Sequence, residues 1–295
     1  MMAFPPRSPD LPAWIEPVRA ALAPLGHTVG VLLALAVAFF ALAYVVKGRD
    51  RALADARAAA GETRINMILS AFDQLLVSPL VAALLAVAAG AIQSRGLHLP
   101  TAGLWVRLGE WPTLFIAVCL GDFTGYWRHR LQHTPWLWPA HAIHHSDTRL
   151  TWFSLERMHP IDRLGTMLDI VVLTALGLPV WAVAANSFVR HYYGYFIHTD
   201  LPWTLGKFGL VFNSPAMHRW HHARDIEGSG SNFATLFSVF DRAFGTYYQP
   251  CPCEAPLGVR EDMGKGALGQ YLYPFKEWAR ALKPKPAIGA DVADA

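Results

Sequence analysis

The chain has 295 residues, enough for one large domain or two small ones. Charged residues make up 16% against roughly 25% in an ordinary soluble domain, and 53% of the chain is hydrophobic, so a polar part must sit beside apolar spans. A net charge of +3 argues against nucleic acid as a main partner. Three cysteines, two of them in the lone Cys251-x-Cys253, exclude a disulfide framework.

Crossing a bilayer takes about 20 apolar residues in a helix. The first such stretch is 27–46, which holds no Asp, Glu, Lys or Arg. It starts late and is followed by Lys47-Gly-Arg-Asp-Arg51 instead of a small-residue cleavage site, so it does not read as a signal peptide. A second lies within 65–92, uncharged from Leu75 onward, and a third is 111–127, broken only by Asp122. The 47–64 linker carries five basic residues and faces the cytoplasm by the positive-inside rule, leaving the N-terminus outside. Three crossings return the chain to the cytoplasm, where 128–165 again holds five basic residues.

A fourth apolar stretch, 166–189, contains Asp169 and Gly177-Leu178-Pro179. Arms at 162–176 and 179–198 are short for full spans and read as a partly inserted hairpin. The expected fold is all-α: an integral membrane helical bundle of about three full transmembrane helices and the hairpin, with a cytoplasmic histidine-rich helical cap. Three regions follow: a membrane region at 1–110, a histidine-rich region at 111–250, and a C-terminal extension at 251–295 whose tail from Lys283 reads as disordered.

Histidine is the anomaly. Of thirteen, eleven lie between His129 and His222. The pattern is His129-x3-His133-x7-His141-x2-His144-His145, then 72 residues, then His218-x2-His221-His222. One helical turn separates His129 from His133, and each H-x-x-H-H can aim three imidazoles at two neighbouring points. A lone histidine on an apolar helix is usually a hydrogen-bonded core residue. Eight at these spacings favour one or two metal ions, with Zn, Cu, Fe and Ni all open by ligand type. H-E-x-x-H is absent, and the one E-x-x-H, Glu156-Arg-Met-His159, is too few for a soluble carboxylate-bridged di-iron bundle.

Two long runs carry a family resemblance: Asp122-Phe-Thr-Gly-Tyr-Trp-Arg-His129-Arg-Leu-Gln-His133, then Leu137-Trp-Pro-Ala-His141-Ala-Ile-His144-His145-Ser146. With Arg157-Met-His159-Pro160, Phe196-Ile-His198-Thr199, Met217-His218-Arg-Trp-His221-His222 and the Asn232–Thr246 segment, they resemble the fatty acid hydroxylase/sterol desaturase superfamily. Ala234 departs from the glycine many members have there.

The resemblance implies a non-haem di-iron centre with O2 as co-substrate, hydroxylating or desaturating a C–H bond of a lipid. That lipid could be a fatty acyl chain, a sterol or triterpenoid, an alkylglycerol or a carotenoid. It implies the eight motif histidines as iron ligands, with His198 completing one site. His159 and His191 are further candidates, as ligands or as supports, and Asn232 is a candidate ligand or a turn-former.

Asp122, two turns before His129, is expected to orient a ligand imidazole or else to pair with an arginine. Asp241 and Arg242 are expected to hold the last helix against the metal domain. No donor domain is fused, so electrons are expected from a separate ferredoxin or cytochrome b5 type protein. A bacterial inner membrane is the expected location, with the metal site facing the cytoplasm. The competing function is a membrane metal- or haem-binding electron carrier without oxygenase activity.

Overall fold

The computed structural model describes residues 15–283 apart from 226, 228 and 265, with side chains from residue 26 onward. The N-terminal segment, and all of the tail expected to be disordered except Lys283, lie outside the described residues. Helices account for all the regular structure among those described, and one isolated bridge joins Ala223 to Leu257. The chain divides into a unit ending at Ala54 and a larger one beginning at Asp55.

Helix α1 (Ile15–Lys47) contains the first apolar stretch and ends at Gly48, whose φ of +80° breaks the helical run. The expected linker then departs from expectation: 49–64 is not a loop but the first part of α2 (Arg49–Phe72). Its alanines and arginines, with Glu62, are strong helix formers and outweigh the reading of charge as a connection. A π-turn at Asp73–Val77 carries α2 into α3 (Ser78–Ser94).

The second apolar stretch consequently has two parts. Asn66, Leu69, Ser70 and Asp73 are buried, and Asn66 donates to Asp147 at 2.9 Å while Arg163 pairs with Asp73 at 3.0 Å. From Leu75 the side chains Leu75, Leu76, Leu80 and Val87 are exposed. Two helical segments, Gly26–Lys47 and Arg49–Ser94, are long and apolar enough to cross a membrane among the described residues.

After the short α4 (Ala102–Leu108) comes α5 (Glu110–Gln132), which contains the third apolar stretch. Its buried side includes Ala117, Val118, Gly121, Asp122, Gly125 and Tyr126, while Trp111 and Phe115 face out. Beyond α6 (Trp138–His145) and α7 (Pro160–Gly165), the two arms of the hairpin are α8 (Met167–Ala175) and α9 (Val180–Ile197). They meet at Gly177, whose φ is +72°, and Trp105 Nε1 donates to the Gly177 carbonyl at 2.7 Å.

Helices α5 and α9 approach closely because Gly121 and Gly125 have no side chain. A Cβ at Gly121 would overlap the Asn186 amide, and one at Gly125 the Arg190 guanidinium. Such small-residue spacing lets helix backbones approach and a long polar side chain fill the gap. The chain closes with α10 (Pro215–His221), α11 (Ser238–Ala243) and α12 (Gly266–Ala281).

Candidate metal centre

The motif histidines sit where helices end. His129 is in the last turn of α5 and His133 caps its C-terminus, α6 carries His141, His144 and His145, and His198 caps α9. Short α10 is started by Pro215 and by Ser214, whose hydroxyl accepts from the Met217 amide at 3.1 Å; it delivers His218 and His221, with His222 as its cap. Helix C-termini carry partial negative charge, so this convergence favours a cation.

Nine histidines form two groups: His129, His133, His141, His145 and His221, then His144, His198, His218 and His222. Within each, the candidate ligand atoms all lie within 4.8 Å of one another. The two H-x-x-H-H motifs exchange members. His141 and His145, four apart, stay in the first group while His144 crosses to the second. His218 and His222 stay in the second while His221 crosses to the first.

Hydrogen bonding fixes which nitrogens face inward. The Nδ1–H groups donate outward: His129 to the Phe233 carbonyl (2.8 Å), His144 to that of Arg157 (3.2 Å), His198 to that of Gly194 (2.7 Å), and His221 to that of Ser231. His141 Nδ1 donates to Asp162 Oδ2 at 2.9 Å. Since carbonyls and carboxylates only accept, the proton of a singly protonated ring sits on Nδ1 in all five and leaves Nε2 bare.

Their Nε2 atoms nonetheless face each other, 3.0 Å apart between His129 and His141 and 3.1 Å between His144 and His198. Two lone pairs at that distance repel unless a cation lies between them. Protons are a poor choice of cation here. Burial, followed by mutual repulsion, holds His133, His145, His218 and His222 well below the ordinary imidazole range. Burial likewise lowers His144 and His221 to about 3. His133 Nε2 and His221 Nε2 are buried without any partner. An all-imidazole donor set with unprotonated nitrogens turned inward fits metal ions.

The remaining candidates lie elsewhere. His159 caps α7, accepting from the Ile161 amide at 3.1 Å, and its Nε2 meets the Tyr271 carbonyl at 3.3 Å. His191 contacts the Tyr195 hydroxyl (3.0 Å) and Glu156 (3.4 Å), outside both groups. Asn232, at φ +59°, bonds the backbone of Met217 and Tyr248 through its amide, as a turn-former does.

Asp122 meets no imidazole. It accepts from the backbone amides of Thr235, Leu236 and Phe237 and pairs with Arg190 Nε at 3.3 Å. The 235–237 loop folds over α5 and presents three unpaired amides to the carboxylate, and this decides the matter. The arginine alternative weighed from the sequence is therefore the arrangement present. Asp241 accepts from the Phe233 and Ala234 amides (2.6 and 3.0 Å), and Arg242 donates to the Leu210 carbonyl at 3.2 Å, so both tie α11 to its surroundings.

The carboxylate that touches one of the clustered imidazoles is Asp162, which sequence reasoning did not single out. Gln132 donates to its other oxygen and is itself bonded by Arg128 at 2.9 Å, and Arg128 pairs with Asp169 at 3.1 Å. Its only signal in the sequence is position, three residues after His159 and just beyond the Met158-His159-Pro160 run.

Residues 114–246 match the family model described as fatty acid hydroxylase. Over that segment, somewhat less than half of its length, the chain is similar to the fatty acid hydroxylase family. All nine clustered histidines fall inside that matched region. Outside the family model, the chain is similar to ornithine lipid hydroxylase of Rhizobium tropici, 31% identical over 61% of this chain and 57% of the relative. It is also similar to alkylglycerol monooxygenase of Danio rerio (31%; 62% of this chain, 40% of the relative) and to methylsterol monooxygenase 2-2 of Arabidopsis thaliana (30%; 42% and 48%). The matched part thus spans about half the length of these superfamily relatives. No solved structure matches the chain significantly.

Proposed function

We propose that this chain is an O2-dependent, membrane-embedded non-haem di-iron oxidoreductase that hydroxylates or desaturates a C–H bond of a lipid. The observation that carries the reading is the pair of unprotonated Nε2 contacts, His129 to His141 and His144 to His198, one in each histidine group. In this reading His129, His133, His141, His145 and His221 hold one iron, and His144, His198, His218 and His222 the other. Two irons held there would supply the oxidation of an unactivated C–H bond, using O2 and two electrons from a separate ferredoxin or cytochrome b5 type donor.

The chain's own residues do the rest. Carbonyls and Asp162 hold the imidazoles in one orientation, and burial shields the site from bulk water. A cleft of about 800 Å3 reaches His133, His145 and His221 and is lined also by Trp136, Trp138 and Trp278. The tryptophan wall suits an aliphatic chain and the charged side chains Arg224, Asp225, Arg260, Glu261 and Glu277 suit a polar head, and we assign the cleft to substrate.

The proposal retains 111–250 as the catalytic region, with 1–110 as membrane region and 251–295 as extension. It also retains about three crossings plus the partly inserted hairpin, and a cytoplasmic site at a bacterial inner membrane. The acceptors to test are fatty acyl, sterol or triterpenoid, alkylglycerol and carotenoid lipids, with ornithine lipid first because of the Rhizobium tropici relative.

The test is metal analysis of the purified protein together with comparative lipidomics of cells carrying it intact or with His218, His221 and His222 replaced. Two irons per chain, no Soret band and a lipid gaining an oxygen or losing two hydrogens are expected. A Soret band, or iron without any lipid change, overturns the reading.

A further inference from the structure

Helix α12 lies outside the matched 114–246 region, so the superfamily assigns it nothing. Its inner side is well partnered: Ala267, Gln270, Tyr273 and Pro274 are buried, and Tyr273, Glu277, Trp278 and Ala281 line the cleft that reaches the histidines. Its outer side is different. Leu268 (69% exposed), Leu272 (45%) and Phe275 (53%) stand in the open, with Leu282 (75%) one residue past the helix end. At 3.6 residues per turn these four fall within an arc of about 80°. Lys276, Arg280 and Lys283 run along one border of that stripe, with Arg280 also reaching Glu277 at 2.5 Å.

The stripe adjoins an exposed apolar surface of the same unit. The Tyr271 hydroxyl donates to the Leu69 carbonyl at 3.2 Å, and its ring lies 4.8 Å from that of Phe72. Phe72 lies in the apolar part of the long Arg49–Ser94 helix. Around it Met67, Ile68, Leu75, Leu76 and Leu80 are exposed, while Leu69, Val77 and Val81 pack inward, in the segment apolar enough to cross a membrane. The apolar stripe of α12 is therefore attached at the level of that apolar part. An apolar stripe with a basic border at that level matches a helix lying in a lipid headgroup layer.

We infer that α12 lies in the plane of the bilayer surface, its Leu268–Leu272–Phe275–Leu282 stripe immersed and its basic border against anionic headgroups. Its opposite face walls the substrate cleft, so the helix brings the cleft against lipid. This rests on the reading of the chain as membrane-embedded, and the experiment separates the two.

In the full chain, with Cys119, Cys251 and Cys253 replaced, single variants Leu268→Cys, Leu272→Cys, Arg280→Cys and Val87→Cys carry a fluorophore. The protein is placed in nanodiscs of phosphatidylcholine and phosphatidylglycerol. Quenching by a lipid with a nitroxide high on its acyl chain is compared with quenching by aqueous iodide. Labels at 268 and 272 are expected to be quenched by the lipid nitroxide, with iodide accessibility several-fold below that at 280.

Iodide access at 268 and 272 equal to that at 280 overturns the inference. Protection from both quenchers also overturns it, since a protein partner or second copy then covers the stripe. The label at 87 is the control for the span: iodide access there sinks the membrane reading itself. Replacing Lys276, Arg280 and Lys283 by glutamine is expected to remove any deepening of the 268 label on raising the phosphatidylglycerol fraction. Deepening that persists in this variant refutes the assigned role of the basic border.

Discussion

His141 donates its Nδ1–H to Asp162 at 2.9 Å, with both side chains almost fully buried. The carboxylate thereby holds His141 in the tautomer whose Nε2 faces His129 and His145, at 3.0 and 3.2 Å. His141 is the central donor of the first group, and its orientation depends on a residue that touches no metal in our reading. Support of this kind typically controls metal affinity by roughly 10–100-fold. Asp162→Ala is therefore expected to lose iron in chelator competition at a concentration lower by about that factor. Asp162→Asn, which can still accept from one of its two donors, should fall between. Unchanged iron retention in Asp162→Ala would remove this role.

The exchange of members between the two H-x-x-H-H motifs gives a second prediction. His144→Ala and His221→Ala each remove a crossing imidazole, so each disturbs one group only. Product formation is expected to drop to background in both while the protein remains in the membrane. Iron should fall toward one per chain, not to none. Turnover retained in either variant contradicts the ligand assignment.

These two cases show what the sequence could and could not carry. The helical repeat announces that His141 and His145 share a face. It does not announce that His144 leaves that face for His198, because this depends on where α9 arrives. Asp122 was the visible acid, two turns above His129, but three amides of a loop more than a hundred residues later capture it. Asp162 forms its contact through the fold of α7 against α6, a relation absent from local spacing. The 49–64 segment was misread for another reason: its charges signalled a surface connection, whereas alanine and arginine there extend a helix whose Glu62 reaches Arg157 at 2.7 Å.

The α5–α9 contact depends on an absent side chain. Gly125→Ala would put a methyl group into the Arg190 guanidinium, which pairs with both Asp122 and Asp169. Overpacking typically costs about 1–3 kcal/mol, and displacing a buried arginine from two carboxylates adds to it. A clear drop in melting temperature in detergent or nanodiscs is expected, with iron loading reduced as a consequence. By comparison, Gly103→Ala should be nearly silent, since open space surrounds that position.

Asp241 predicts a pH dependence. Burial, and more weakly the charge of Asp122, push its carboxyl up to about 6 from an ordinary 3.8, despite hydrogen bonds from Thr246, Ala234 and Phe233. Between these values the folded state binds more protons than the unfolded one. Stability from this group is thus greatest below pH 4 and falls as pH rises through about 6. The difference is at most on the order of 2–3 kcal/mol. Since other groups titrate too, the readout is the melting temperature relative to Asp241→Asn at each pH. Wild type should lose ground against the variant from pH 4 to pH 7, and a gap constant with pH would refute the assignment.

Removing metal tests the lone-pair argument directly. Without a cation, His129 and His141 face each other through Nε2 atoms while their Nδ1–H groups point outward, as do His144 and His198, and burial opposes protonation of His144. The folded metal-free protein should therefore be strained at both groups, and any imidazole-seeking divalent ion should relieve it. A ligand that binds only the folded state stabilises by about 2.7 kcal/mol at a hundredfold excess over its dissociation constant. Chelated protein is expected to melt at lower temperature and to recover on adding Fe2+, Co2+ or Zn2+, with no recovery from Mg2+, which prefers oxygen ligands. Recovery should need two equivalents in wild type and about one in His198→Ala. Melting unaffected by chelation would mean that the facing nitrogens are satisfied in some other way.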